Sequence, residues 1–250
     1  MIENTIFAQN RQGKKALSLS MTFPMPDLVE YAALAGFHAI HLDGEHGAFN
    51  PVEVDRIVQV AHAHGLSVKA RVPNIRADEI NQWLDRGIQG IMAPHIETGA
   101  QAQALVDACY FAPLGHRSWG THRGTAFNDD TLLMEKYGGR RAFAEFANAN
   151  MFVYAQVESK LGYENLDAIL AVEGLHAIAF GPFDLGFSLG LPGAGAEHPE
   201  IRRILDDISQ RTRAAGKRLF SDHFVELGVV PALLAAGRDF VAQHRDEAFV

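Results

Sequence analysis

The chain has 250 residues, 48% hydrophobic and 21% charged, with a formal net charge of −8; this is globular composition, with length enough to bury ~70% or more of the unfolded surface. Lys and Arg are scattered without a basic block, which argues against a nucleic-acid partner, and no apolar run approaches the ~18 residues of a membrane span. The first residues, Met1 to Lys15, lack the apolar stretch of a signal peptide, and a lone Cys109 excludes a disulfide or cysteine-metal framework within one chain, so a cytoplasmic protein with a single domain over residues 1–250 is expected.

Ala16 to Ser20 is the first strand pattern. Asp27 opens a helix with apolar residues at the 3.6-residue period, and Gly36 closes it. Phe37 to Leu42 is strand two, and it ends abruptly in Asp43-Gly44-Glu45-His46-Gly47. Asn50-Pro51 is an N-cap followed by a first-turn proline, and the helix it starts runs to His64. Ser67 to Arg71 is strand three and finishes on a guanidinium. A helix over Ala77 to Arg86 leads to strand four, Ile88 to Ala93, and a helix over Ala100 to Ala108 follows.

Tyr110 to Asn128 is irregular. An apolar helix with Phe143 and Phe146 then precedes strand five, which begins at Met151 and ends at Glu158. Helix Tyr163 to Ala171 precedes strand six, His176 to Phe180, and the run continues to Asp184 through Gly181-Pro182-Phe183. Pro199 to Ala215 reads as helix, Lys217 to Ser221 as strand seven, Val225 to Ala236 as helix and Asp239 to Gln243 as strand eight. Eight strand signals alternating with helices require parallel strands and right-handed crossovers, and they point to a (β/α)8 TIM barrel of the α/β class. The rival is an open doubly wound sheet, weakened because no Gly-x-Gly-x-x-Gly follows the first strand. On this reading a full eighth helix is lacking, since seven residues follow Gln243.

In a parallel barrel the loops after the strands form one rim, so Asp43, Glu45, His46, Arg71, Glu158 and Asp184 should converge. Glu158 and Asp184 end neighbouring strands about 5 Å apart. Two such carboxylates repel unless a cation lies between them, and an oxygen pair with open positions suits Mg²⁺ or Mn²⁺. Against this stands the plain alternative that each carboxylate caps a loop or forms a salt bridge. His46 lies within reach of Asp43, which could orient it as a base. Arg71 offers a fixed charge to an oxyanion. His41 and His95 also stand at strand ends and are candidate supporting groups behind the site. Gly181 and Gly190 allow close backbone approach, and the amides after Pro182 could hold a carboxylate. A metal, an arginine and a His–Asp pair suit enolate chemistry on a 2-oxo acid.

The motifs Asp43-Gly44-Glu45-His46-Gly47, Arg71-Val72-Pro73, Leu84-Asp85-Arg86-Gly87 with Pro94, Gln156-Val157-Glu158 and Gly181-Pro182-x-Asp184-Leu185-x-x-Ser188-Leu189-Gly190 together resemble the HpcH/HpaI aldolase family of metal-dependent 2-oxo acid aldolases. The resemblance implies Mg²⁺, Mn²⁺ or Co²⁺ on Glu158 and Asp184, and Arg71 as the enolate-stabilising group. It implies His46, assisted by Asp43, as the base. Gln156 would lie beside the metal, and the backbone at Gly181, Pro182 and Phe183 would meet the substrate carboxylate. Glu45 and Asp85 would be supporting groups, Asp85 toward a neighbouring subunit's site or simply as a helix-end charge. The expected partners are a 2-oxo acid and an aldehyde, and the expected assembly is a homo-oligomer, a hexamer exchanging a C-terminal helix.

Three departures from the family pattern stand out. The loop Tyr110 to Gly120 lacks the usual Tyr-Pro-Pro and Arg-Gly, Phe183 is bulky where the family is small, and the exchanged helix is not read here. The expected activity is reversible cleavage of a 4-hydroxy-2-oxo acid to pyruvate or hydroxypyruvate and an aldehyde. Alternatives are an oxaloacetate-type decarboxylase on the same site, a Schiff-base aldolase using Lys69, and a non-catalytic 2-oxo acid binding protein. Trp119, His122, Arg123, Phe183, Phe187 and the Leu191–Gly195 loop are the expected determinants of aldehyde choice.

Overall fold

The computed structural model describes residues 1–247. Eight parallel strands form one curled sheet: β1 (Ala16–Met21), β2 (Ala39–Asp43), β3 (Ser67–Arg71), β4 (Gly90–Ala93), β5 (Phe152–Val157), β6 (Ala177–Phe180), β7 (Arg218–Leu219) and β8 (Phe224–Gly228). Their order is β7-β6-β5-β4-β3-β2-β1-β8, with helices between successive strands, so the expected α/β barrel class is borne out. No helix among the described residues is long and apolar enough to cross a membrane.

The capping signals act where the sequence places them. Asn50 accepts from the amides of Val52 and Glu53, Glu53 returns a bond to the Asn50 amide, and Pro51 opens the helix. Side chains alternate along each strand. One set packs against the helices in the larger core, including Ile40, Leu42, Val68, Ala70, Val153 and Ile178. The other set faces inward, where Ala39, Phe152, Tyr154, Ala177 and Phe224 cluster with Ile6 of the N-terminal helix Thr5–Arg11.

The C-terminal expectation is corrected. Asp239 to Gln243 is not strand eight but part of a helix, Val229–His244, so the eighth helix is present. Strand eight is Phe224–Gly228, paired with β1. The stretch from Val229 is rich in Ala and Leu, and one interior glycine, Gly237, costs a helix only about 1 kcal/mol, too little to end it. Strand seven is shorter than Lys217–Ser221, because Asp222 accepts from the Leu219 amide at 3.0 Å and turns Phe220–His223 into a helical turn.

Polar groups continue the inward column above the apolar layer. The Lys69 ammonium is fully buried, 2.6 Å from Glu226 Oε2 and 3.9 Å from the centre of the Phe224 ring. Ser18 Oγ donates to the same carboxylate oxygen at 3.3 Å. This pair joins β3 to β8, whose ladder runs to β1; no ladder joins β8 to β7 among the described residues. Burial acts to raise the Glu226 pKa, but neighbouring positive charge and the Lys69 and Ser18 hydrogen bonds outweigh it and bring it to about 2. His41 is pushed down to about 4, first by burial and then by Lys69, so Lys69 is the cation that holds Glu226 at neutral pH.

Removing one partner of such a pair should be worse than replacing the lysine by an apolar chain. Urea unfolding of Glu226→Gln should show a loss of about 3 kcal/mol, and Lys69→Met a clearly smaller one. Because the folded-state pKa of Glu226 lies below its ordinary value near 4.5, its contribution is full above that pH and disappears as pH falls through about 2. An acid stability profile identical in wild type and Glu226→Gln would contradict this.

Candidate active site

The site begins in the register of β2 on β3, which sets Asp43 opposite Arg71. Asp43 Oδ2 accepts from Arg71 Nη2 at 2.6 Å and Oδ1 accepts from Nε at 2.9 Å, a bidentate pair. Oδ1 also accepts from the backbone amides of Glu45 and His46 at 3.2 and 3.3 Å. Burial acts to raise the Asp43 pKa, but Arg71 and the His46 amide outweigh it and the net shift is downward. Gly44 lets this turn form: a Cβ there would lie 2.6 Å from the Trp83 ring and 2.8 Å from the Arg71 carbonyl.

The turn sends the Glu45 carboxylate back to the guanidinium, with Arg71 Nη1 at 3.0 Å from Oε2. Glu45 Oε1 lies 3.1 Å from His95 Nε2. His95 Nδ1 lies 3.2 Å from Glu158 Oε1, and the His95 backbone amide donates to that oxygen at 2.8 Å. Gln156 Nε2 donates to the other oxygen, Oε2. A continuous chain therefore runs Asp43, Arg71, Glu45, His95, Glu158 and Gln156 across the C-terminal ends of β2 to β5.

Glu158 is 2% exposed. Burial pushes its pKa up and the Asp184 charge adds to this, against hydrogen bonds from His95 and Gln156. Asp184 itself is exposed, in the first turn of the helix Pro182–Ser188 that follows β6. A side chain at Gly181 would collide with Glu158 Oε2 and come within 3.1 Å of Gln156 Nε2, so only glycine leaves that oxygen its space.

Of the expected residues, Asp43, Glu45, Arg71, Gln156 and Glu158 stand in that chain, and three others lie differently. The His46 imidazole is 67% exposed and contacts Glu45 Oε2 at 3.7 Å. Asp43 reaches His46 through its backbone amide instead and spends its carboxylate on Arg71. Asp85 lies apart, buried at the end of the helix Ala77–Asp85 beside Arg117, with its pKa raised by burial. Lys69, the amine of the Schiff-base alternative, lies inside the barrel on Glu226. His95, a candidate supporting group from its place directly after the proline that ends a strand, here bridges Glu45 and Glu158. Phe183 and Phe187 are exposed, and the Phe183 ring lies against Gly195.

Two buried or rim carboxylates of like charge, with a neutral amide beside one of them, form an oxygen donor set for a hard divalent ion. Among the described residues no three His, Cys, Asp or Glu side chains already surround one point. Glu158 and Asp184 supply two carboxylate donors whose charges repel each other in the absence of a cation, so the residues fit such an ion.

A parallel α/β barrel whose strand ends gather carboxylates, a guanidinium and histidines is the arrangement of a barrel enzyme. A model of the HpcH/HpaI aldolase/citrate lyase family matches residues 21–247. The 2-keto-3-deoxy-L-rhamnonate aldolase of Salmonella gallinarum is 35% identical over 241 residues, covering 93% of this chain and 83% of that protein. Among solved structures, an HpcH/HpaI aldolase from Desulfitobacterium hafniense superposes with a TM-score of 0.85 at 25% identity, covering 97% of each chain. Protein CitE from Mycobacterium tuberculosis, in complex with magnesium and acetate, shares the fold at a TM-score of 0.51 and 18% identity, over 94% of this chain and 85% of that one. The chain belongs to the HpcH/HpaI aldolase/citrate lyase family, and it is a carbon–carbon lyase.

Gly181→Ala tests the clearance around Glu158. A displacement of about 1 Å at a reacting site costs on the order of 100-fold in rate, so lyase kcat/KM should fall by about that factor while the melting temperature changes little. Wild-type kcat/KM in Gly181→Ala would show that the clearance is not needed.

Proposed function

We propose that the protein is a divalent-metal-dependent aldolase that reversibly cleaves a 4-hydroxy-2-oxo acid to pyruvate or hydroxypyruvate and an aldehyde. The observation that carries this reading is Arg71, held by Asp43 and Glu45 within one hydrogen-bonded chain that ends on Glu158. Glu158 and Asp184 would hold Mg²⁺, Mn²⁺ or Co²⁺, with Gln156 beside them. When bound, the ion would act as a Lewis acid on the substrate's 2-oxo group.

The remaining roles belong to the chain itself. Asp43 and Glu45 take part of the Arg71 donor fork, and the N–H groups left over serve the oxyanion that develops as the carbon–carbon bond breaks. Arg71 stays charged throughout, since its partners raise its pKa further against the opposing effect of burial. His46, exposed and next to Glu45, removes the proton of the 4-hydroxyl group during cleavage and returns it during synthesis. Asp43 fixes the turn that carries it. The backbone at Gly181, Pro182 and Phe183 receives the substrate carboxylate, and Phe183 and Phe187 border the aldehyde. Asp85, away from this chain of contacts, is left as a supporting group.

The helix Val229–His244 buries none of its residues and exposes Leu233, Leu234, Phe240 and Val241. A groove of about 480 Å³ beside it is lined by Phe23, Tyr31, Phe37 and Leu233 among others. Apolar area of this kind supports a homo-oligomer, with a second copy covering the helix.

Pyruvate release from 4-hydroxy-2-oxo acids should cease after EDTA treatment and return on adding Mg²⁺ or Mn²⁺. Turnover that survives complete removal of metal sinks the reading. His46→Asn should lower kcat by roughly 10²–10⁴-fold and leave metal affinity unchanged. Cleavage confined to oxaloacetate on the same preparation would make the protein a decarboxylase instead.

A further inference from the structure

We propose that the amino-terminal mouth of the barrel carries a second binding site, for a small multiply charged oxyanion, formed by Lys14, Lys15 and Arg218.

Topology separates this site from the rim. All strands run parallel, so Lys14 and Lys15, just before β1, and Arg218, which opens β7, lie at the opposite end of the barrel from Asp43, Arg71 and Glu158. The three cations line one cleft of about 300 Å³, at the small end of the range of small-molecule sites. The cleft lies at the seam where β7 and β8 share no ladder among the described residues. Arg218 stands on the β7 side, opposite Ala177 of β6, and the lysines stand on the β1 side.

The walls of the cleft are held by long-range contacts. Asn10 Nδ2 donates to the Lys14 carbonyl at 3.0 Å and to the His223 carbonyl at 2.8 Å. Its Oδ1 lies 2.7 Å from His223 Nδ1, and with both amide hydrogens spent on carbonyls this oxygen accepts from the ring. One side chain thus ties the turn before β1 to the approach of β8, across 213 positions. Gly13, at φ 72, lets the chain reverse there, and the Lys14 amide donates to the Gln9 carbonyl at 3.1 Å. The His223 ring packs on Phe152 inside the barrel, with centroids 4.7 Å apart. The lysines therefore leave from a braced backbone rather than from a free loop.

Charge is the second observation. The protein carries a net −8, and the cations Arg11, Lys69 and Arg213 are each paired, with Glu3, Glu226 and Asp222. Lys14, Lys15 and Arg218 have no carboxylate partner among the described residues. The acid that lines the cleft, Asp222, accepts from Arg213 at 3.0 and 3.3 Å and from the Leu219 amide at 3.0 Å, so its charge is already met. Three like charges around one cleft repel one another, and an anion between them removes that repulsion. Two ammonium groups and one planar guanidinium suit a phosphate group or a pair of carboxylates. An ion held on both sides of the seam would also stiffen the barrel. The competing account is a set of hydrated surface charges without a site, and it predicts that an equal loss of positive charge elsewhere acts alike.

The test is calorimetric titration and thermal unfolding of the full-length protein with inorganic phosphate and with succinate, against KCl at matched ionic strength. Saturating phosphate should raise the wild-type melting temperature by roughly 2–4 °C beyond KCl. Lys14→Ala combined with Arg218→Ala should weaken phosphate binding by roughly tenfold or more, whereas Arg56→Ala combined with Arg202→Ala, the same charge change on exposed cations outside the cleft, should leave it as in wild type. Lys15→Gln alone should weaken binding in the same direction by less, and it carries the test if the double variant fails to fold. A response to phosphate alone assigns the site to phosphate-bearing ligands, and an equal response to succinate extends it to dicarboxylates. No response beyond KCl, or the same loss in both double variants, overturns the proposal, as does phosphate binding that the cleft variants leave unchanged.

Discussion

The pairing of Asp43 with Arg71 is the constraint on which the rim depends. Parallel register places the two residues side by side at the ends of β2 and β3. A slip of one residue would turn Asp43 toward the helices and bring Leu42 inward, so the apolar packing of Ile40 and Leu42 in the outer core also fixes the ion pair. With the guanidinium gripped on two atoms, the second task of Asp43 becomes possible. Its Oδ1 accepts two backbone amides and folds the Gly44–Gly47 turn, which returns Glu45 to Arg71. From there the chain passes through His95 to Glu158, so local strand packing decides where a carboxylate three strands away finds its partner.

The interior of the barrel poses a related problem lower down. A lysine there loses its hydration, and burial lowers the Lys69 pKa against the influence of Glu226. The Glu226 carboxylate, the Phe224 ring and the Ser18 hydroxyl offset that loss. This arrangement secures β8, the strand with one ladder only, to the far side of the barrel. It also removes the amine from the rim and leaves the Arg71 guanidinium there. The charged column thus divides between holding the barrel together and presenting one guanidinium.

Much of this was legible in the sequence because strand ends are chemically conspicuous. An apolar run that stops at Asp43, Arg71 or Glu158 marks both a strand and its rim residue, and the parallel barrel brings those residues together without further information. Asn50-Pro51 and the glycines after helices were equally readable, since each reports a local backbone requirement. The C-terminal segment was not. Val225 to Gln243 contains apolar residues compatible with either period, and the choice depends on Glu226 finding Lys69 across the barrel, a contact separated by 157 positions. How Asp43 supports His46 was hidden for a similar reason: adjacency in sequence does not say whether the carboxylate meets the ring or the amide. His95 was legible only as a supporting group, because the left-handed backbone that aims it at Glu158 is not displayed by the sequence.

The electrostatics of the rim connect its parts. Of the rim carboxylates Asp43, Glu45, Glu158 and Asp184, Arg71 bonds the first two and keeps N–H groups to spare. Glu158 is left buried, its ionised form disfavoured by desolvation and by Asp184. Positive charge between the two carboxylates would offset both the loss of hydration that chiefly raises the Glu158 pKa and the smaller repulsion from Asp184. On the proposed reading the substrate is itself an anion, and it would approach a rim of its own sign. Its carboxylate and 2-oxo group become attractive there only when a divalent charge offsets Glu158 and Asp184. Cation and substrate binding would then be coupled through charge alone, before any bond to the metal is considered. On that reading the acidic excess at the strand ends would make the order of assembly a consequence of the site's electrostatics: ion first, 2-oxo acid second.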